Sequence, residues 1–161
     1  MNDLKKAYRT TAHIGLWMMG GVFLQVVAVE LIKRNVLSTT PAPAAPGTAL
    51  IRYVFFGVAA GVFFLIRAVN RRVLSGRSPV LTKSRAVRYA PDILRLMSAS
   101  IITFAFCELA AILGLVLFLV IGKDTDFYLF VLASLFFFSM HFPQYGKWEG
   151  WMKDRSRQGA R

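Results

Sequence analysis

Residues 97–121 read MSASIITFAFCELAAILGLVLFLVI. A hydrocarbon layer of about 30 Å is crossed by about 20 apolar residues in a helix. This stretch meets that length with one charged side chain, Glu108. It is apolar on every side, unlike the one-faced helix of a soluble bundle. Backbone groups have no water to bind in hydrocarbon, so such a segment must be helical. Three further windows share the pattern: residues 11–32, 49–68 and 127–142. The last has 16 residues, about 24 Å of helix at about 1.5 Å per residue, and is expected to tilt little or to continue past Pro143.

The whole chain has 161 residues, 56% of them hydrophobic, with 20 Lys and Arg against 8 Asp and Glu. Only 17% are charged, against about 25% in soluble domains. Apolar and basic residues therefore occupy separate stretches. Sixteen basic residues fall in the N-terminal segment, in 67–96 and after Pro143; Lys33, Arg34, Arg52 and Lys123 make the other four. Basic residues collect on the cytoplasmic side of a membrane protein. The expected architecture is all-α and polytopic: four transmembrane helices, N-in and C-in, forming a single membrane domain over 1–161. Its expected location is the inner, cytoplasmic membrane of the cell. The first window, 11–32, is expected to remain as a span rather than a cleaved signal, because its apolar run is too long and Glu30, Lys33 and Arg34 precede any cleavage site.

Between the second and third windows, 69–96 forms a basic cytoplasmic elbow, with Gly76 and Pro79 marking a turn. Thr40–Gly47 reads as an extended outer linker. After Pro143, Tyr145, Trp148 and Trp151 recur every three residues, which predicts an interfacial C-terminal helix with its rings in the headgroup layer. The elbow and the C-terminal tail are expected to meet anionic lipid headgroups. The partners expected beyond lipid are other membrane subunits or further copies of this chain. No nucleic acid is expected, since no reader motif surrounds the basic stretches. No P-loop, nucleophile elbow, HExxH or dinucleotide fingerprint occurs, so the chain is not expected to be an enzyme. One cysteine excludes a disulfide framework, and His13 and His141 read as interfacial residues. No cofactor and no metal are expected.

Candidate site residues follow from the acids. Glu30 and Arg52 lie near the outer ends of the first two spans, and at that shared depth they are expected to form a structural ion pair. Glu108 has eleven residues of its span before it and thirteen after it. An ionised group at mid-membrane is costly, so the carboxyl is expected to retain its proton. Such a group is suited to carrying a proton, or exchanging it for a cation, where polar access opens. Ser100, Thr103, Cys107, Ala110 and Gly114 follow at spacings of three and four and make a small-residue stripe. Gly57 and Gly61 form a GxxxG in the second window, and the two small-residue faces are expected to meet. Thr103, Cys107, Ala111 and Gly114 would then pack around the Glu108 site with Gly57 and Gly61.

The stretch AFCELAAILGLVLFLV, 105–120, resembles the carboxylate-bearing helix of the rotor-ring proteolipids of rotary ATP synthases and vacuolar-type ATPases. The matching positions are Glu108, Ala111, Ile112, Gly114, Leu115 and Val116, with Arg77 and Pro79 in a basic elbow. The resemblance covers roughly 55–121 and implies that Glu108 is the ion carrier. Two functions stand side by side: proton or cation handling through Glu108, and a non-catalytic accessory, assembly or scaffold role in a membrane complex.

Overall fold

Gly122 ends the most apolar helix of the chain and sets the geometry around it. In a computed structural model describing residues 2–35, 48–74 and 89–159, that helix is α3, Pro91–Ile121. Gly122 adopts φ +75°, and its N–H donates to Phe118 O at 2.7 Å. This left-handed cap is cheap only for glycine. Two residues, Gly122 and Lys123, then separate α3 from α4, Asp124–His141. So short a link makes α4 the antiparallel neighbour of α3.

At the other end, α3 starts with Pro91 in its first turn, where a missing N–H leaves no bond unmade. The amides of Ile93 and Leu94 donate to Ala90 O at 2.9 and 3.2 Å. The other helices are α1, Asn2–Asn35, α2, Thr48–Leu74, and α5, Tyr145–Gly159. Among the described residues there is no strand. Three helices, α1, α2 and α3, are long and apolar enough to cross a membrane. Counting α4 with α5, which are bent by 48° at the break between them, there are up to four. The helices outrun the windows read from sequence: α2 continues to Leu74, and α3 begins at Pro91. The Gly76–Pro79 turn and the Thr40–Gly47 linker lie outside the described residues.

α3 is the central helix, packed by α4, α1 and α2. On α1 the buried positions Leu4, Ala7, Thr11, Gly15, Val22 and Val29 recur at intervals of three, four or seven, one continuous seam. On α2, Ala59, Val62, Ile66 and Val73 are buried. The main core joins Val22, Val29, Val62 and Ile66 to Phe104, Cys107, Ala111 and Phe118 of α3 and to Phe127 and Phe138 of α4.

A second core corrects the reading of α5. Trp148 is 5% exposed and packs with Leu4, Ala7, Ile93, Leu96 and Met97. Tyr8 meets Tyr145 and Trp148 edge-on, with ring centroids 5.5 and 5.8 Å apart. The three-residue aromatic spacing therefore turns Trp148 onto protein rather than into a headgroup layer. Burying an indole of this size gains more than leaving it at the surface. Arg155 adds polar ties. Its Nη1 donates to Leu74 O at 3.3 Å, and its Nε lies 3.5 Å from Asp92, which Arg95 also approaches at 3.3 Å.

Candidate functional site

Glu108 stands near the middle of α3, half-buried, and its carboxyl lies against α1 at Gly21. A Cβ on Gly21 would come within 2.9 Å of Glu108 Oε1. Glycine therefore provides the clearance. Among the described residues, no hydrogen bond or ion pair reaches the Glu108 side chain. Leu109, Ile112 and Val116 beside it are exposed, so the carboxyl sits at the open edge of the α1–α3 groove. Gln25, one turn beyond Gly21 on α1, holds a buried Oε1 with no hydrogen-bond partner. Thr103 is committed elsewhere: its hydroxyl lies 2.8 Å from Ala99 O and 3.0 Å from Asn70 Oδ1, and its single proton serves one acceptor at a time.

The small-residue stripe of α3 is a real packing face, but its partner is not the one expected. Thr103, Cys107, Ala110 and Gly114 are all buried, as is Ala111. The face they make receives α4. Ser134 Oγ donates to Cys107 O at 2.7 Å, and a Cβ on Gly114 would collide with Phe130 Cβ. Gly57 and Gly61 are exposed, with nothing within 4 Å of a Cβ built on either. They do not meet the stripe. The link lengths give the reason. Two residues hold α4 against α3, whereas α2 is connected through residues 75–90. α2 then approaches through Ala59, Phe55 and Phe56, which pack with Leu113, Leu117 and Ile121 of α3 and with Phe130. These side chains bury more apolar area than a glycine pair would.

The expected Glu30–Arg52 pair is also replaced. Glu30 accepts from the Tyr128 hydroxyl and from Lys33 Nζ at 3.3 Å, and Lys33 Nζ also donates to Asp124 Oδ2 at 2.9 Å. Arg52 Nη2 lies 2.7 Å from Asp126 Oδ1 instead. Asp126 is 1% exposed, and neither carboxylate oxygen has an aligned hydrogen-bond donor, so Arg52 acts by proximity of charge. The first turn of α4 carries both acids, Asp124 and Asp126, and brings them to the level at which Glu30 and Arg52 lie. Acids also suit a helix N-terminus. The Lys33 hydrogen bond holds the Asp124 carboxyl below its ordinary value, and the bond to Asp124 raises Lys33. Neither acid was singled out by sequence reasoning. The available signal was their position immediately after Gly-Lys and before a Phe-rich run, where a helix first turn accepts acids.

Among the described residues, no group of three or more His, Cys, Asp or Glu is arranged to hold a metal ion. His141 Nδ1 lies 3.1 Å from Phe137 O, a bond back along its own helix. The site thus offers a carboxyl at mid-helix without a partner among the described residues, bounded by glycine and hydrocarbon, and a separate cluster of paired charges where α1, α2 and the start of α4 meet. The chain matches no protein-family model, no curated protein and no solved structure.

Proposed function

We propose that this protein is a non-catalytic accessory or assembly subunit of a membrane complex, and that Glu108 makes a polar contact with a partner helix. In this reading α1 to α4 all span the inner membrane of the cell. The basic termini face the cytoplasm, and α5 rests at that surface. The observation that carries the proposal is the Glu108 carboxyl, half-exposed at mid-helix with no hydrogen-bonding or ionic partner among the described residues. A neutral carboxyl in hydrocarbon gains most by meeting a polar group on another helix. The absence of catalytic motifs agrees with the same reading.

The same carboxyl favours one alternative, proton or cation handling, which the resemblance to rotor-ring proteolipids also implies. Gly21 leaves the group free of steric confinement, as exchange requires. One pair of variants separates the two. Glu108→Gln keeps a hydrogen-bonding head of the same size but has no acidic proton; Glu108→Leu keeps neither. For a docking subunit, partner co-purification survives Glu108→Gln and falls at least about tenfold in Glu108→Leu, a loss of about 1.4 kcal/mol. Loss of function in Glu108→Gln with co-purification intact, together with carbodiimide labelling of Glu108, overturns docking in favour of ion handling.

A further inference from the structure

A cavity of about 310 Å³ opens where the end of α2, the first half of α3 and the α4–α5 elbow meet. Its nearest lining residues on α3, Ser100 and Thr103, lie one to two turns before Glu108, and it shares no residue with the outer charge cluster. Its volume is at the lower end of ligand-binding pockets. Its wall has two chemistries. Leu74, Leu96, Ala99 and Met140 form an apolar part. Asn70, Ser100, His141, Gln144 and Lys147 form a polar part.

The polar part is rich in donors and, among the described residues, contains no carboxylate. Lys147 has no ion pair among the described residues. Asn70 Oδ1 is engaged by Thr103, which leaves its amide hydrogens available. His141 Nδ1 donates to Phe137 O, so in the neutral ring Nε2 is an acceptor and the donors left for a ligand are Asn70, Ser100, Gln144 and Lys147. One uncompensated ammonium and several neutral donors, without a competing acid, match an anionic oxygen cluster such as a phosphate. An adjoining apolar wall matches an attached hydrocarbon chain. A free anion would leave that wall unused.

We propose that this cavity binds an anionic phospholipid, with its phosphate at Lys147, Asn70 and Ser100 and its acyl chain along the Leu96–Met140 wall. The proposal rests on membrane insertion and is independent of what Glu108 does. It differs from diffuse attraction of anionic lipid to the basic surface, because it assigns the preference to one cavity.

Trp148 and Trp151 line the cavity and serve as reporters. Trp17 is 81% exposed on α1 and is the remaining tryptophan, so Trp17→Phe confines the fluorescence to the cavity. This protein is placed in phosphatidylcholine nanodiscs with a fraction of phosphatidylglycerol brominated on its acyl chains, or with brominated phosphatidylcholine at the same fraction. The expected result is a roughly five-fold stronger association of the anionic lipid, of the order of one cation–lipid contact. Lys147→Gln removes that preference, whereas Arg157→Gln, of equal charge change on the same helix, retains it. Ser100→Leu, which fills the cavity, also removes it while helical circular dichroism is unchanged. Equal quenching by both lipids overturns the proposal, as does an equal effect of the Lys147 and Arg157 variants. Inorganic phosphate that abolishes the preference at millimolar concentration assigns the site to free phosphate and overturns the lipid as occupant.

Discussion

Gly114 on α3 and the pair Gly57 and Gly61 on α2 belong to helices of similar apolar composition, and they meet opposite fates. Gly114 is the notch into which Phe130 fits so closely that not even a methyl group can be added. Gly57 and Gly61 face outward, with no atom near enough to require their smallness. A glycine spacing permits close helix approach, but it does not choose the helix that approaches. Here a two-residue link chose α4 for α3, and the notch was then filled by the ring at the matching level.

The largest effect that tests this contrast is at the filled notch. Gly114→Leu is expected to lower the stability of the detergent-solubilised protein by about 3 kcal/mol, because the strained contacts involve Cβ and backbone atoms rather than a flexible tip. Chemical or thermal unfolding followed by circular dichroism measures it. Phe130→Ala alone leaves a void costing about 3–5 kcal/mol. The double variant, Gly114→Leu with Phe130→Ala, keeps the collision at Cβ but lets the outer carbons of leucine enter the void left by the ring, so it is expected to be less destabilised than the sum of the two. Strict additivity would mean that the two side chains do not share this space. Gly57→Ala and Gly61→Ala are expected to be neutral, or to stabilise by up to about 1 kcal/mol through helix propensity. A loss beyond about 1 kcal/mol at either position would reverse the contrast.

A smaller effect concerns the charged end. Arg52→Gln removes the cation beside buried Asp126 and is expected to cost about 1–2 kcal/mol. That is below the cost for a fully buried pair because Arg52 is itself 41% exposed. Combining it with Asp126→Asn is expected to recover most of the loss, read in the same unfolding experiment. If Glu30 rather than Asp126 were the partner of Arg52, Glu30→Gln would give the recovery instead.

The smallest effect is the pH dependence at Lys33 and Asp124. The Asp124 carboxyl is held below its ordinary value by the Lys33 hydrogen bond. Its stabilisation is complete above the ordinary aspartate value and fades as pH falls through the lower, folded value. Lys33 is raised, so its share persists below the ordinary lysine range and fades as pH climbs through its higher, folded value. Melting temperature measured from pH 6 down to pH 3 should fall slightly more in the wild type than in Asp124→Asn.

Much of the helical frame was legible because spans of this length and apolarity admit no other backbone. The small-residue stripe on α3 was legible for the same kind of reason, since three- and four-residue spacings place side chains on one face. Its partner was not, because 57 and 61 on α2 offer an equally good spacing, and only the short Gly122–Lys123 connection breaks the tie. Asp126 escaped notice since a polar residue near a turn reads as solvent-exposed. Its burial beside Arg52 of α2 comes from packing between helices, which no local pattern reveals. Trp148 escaped because an amphipathic aromatic suits a headgroup layer and a protein core equally, and the Tyr8 and Leu96 surfaces that receive it lie far away in sequence.

The left-handed cap at Gly122 has a consequence for biogenesis. In the four-span topology proposed above, two residues of slack would make α3 and α4 enter the bilayer as one event, the nascent later helix already at the side of the earlier one. Lys123, Asp124 and Asp126 would then be carried through the lipid together at the tip of one preassembled hairpin, with opposite signs adjacent in sequence offsetting the toll of their passage.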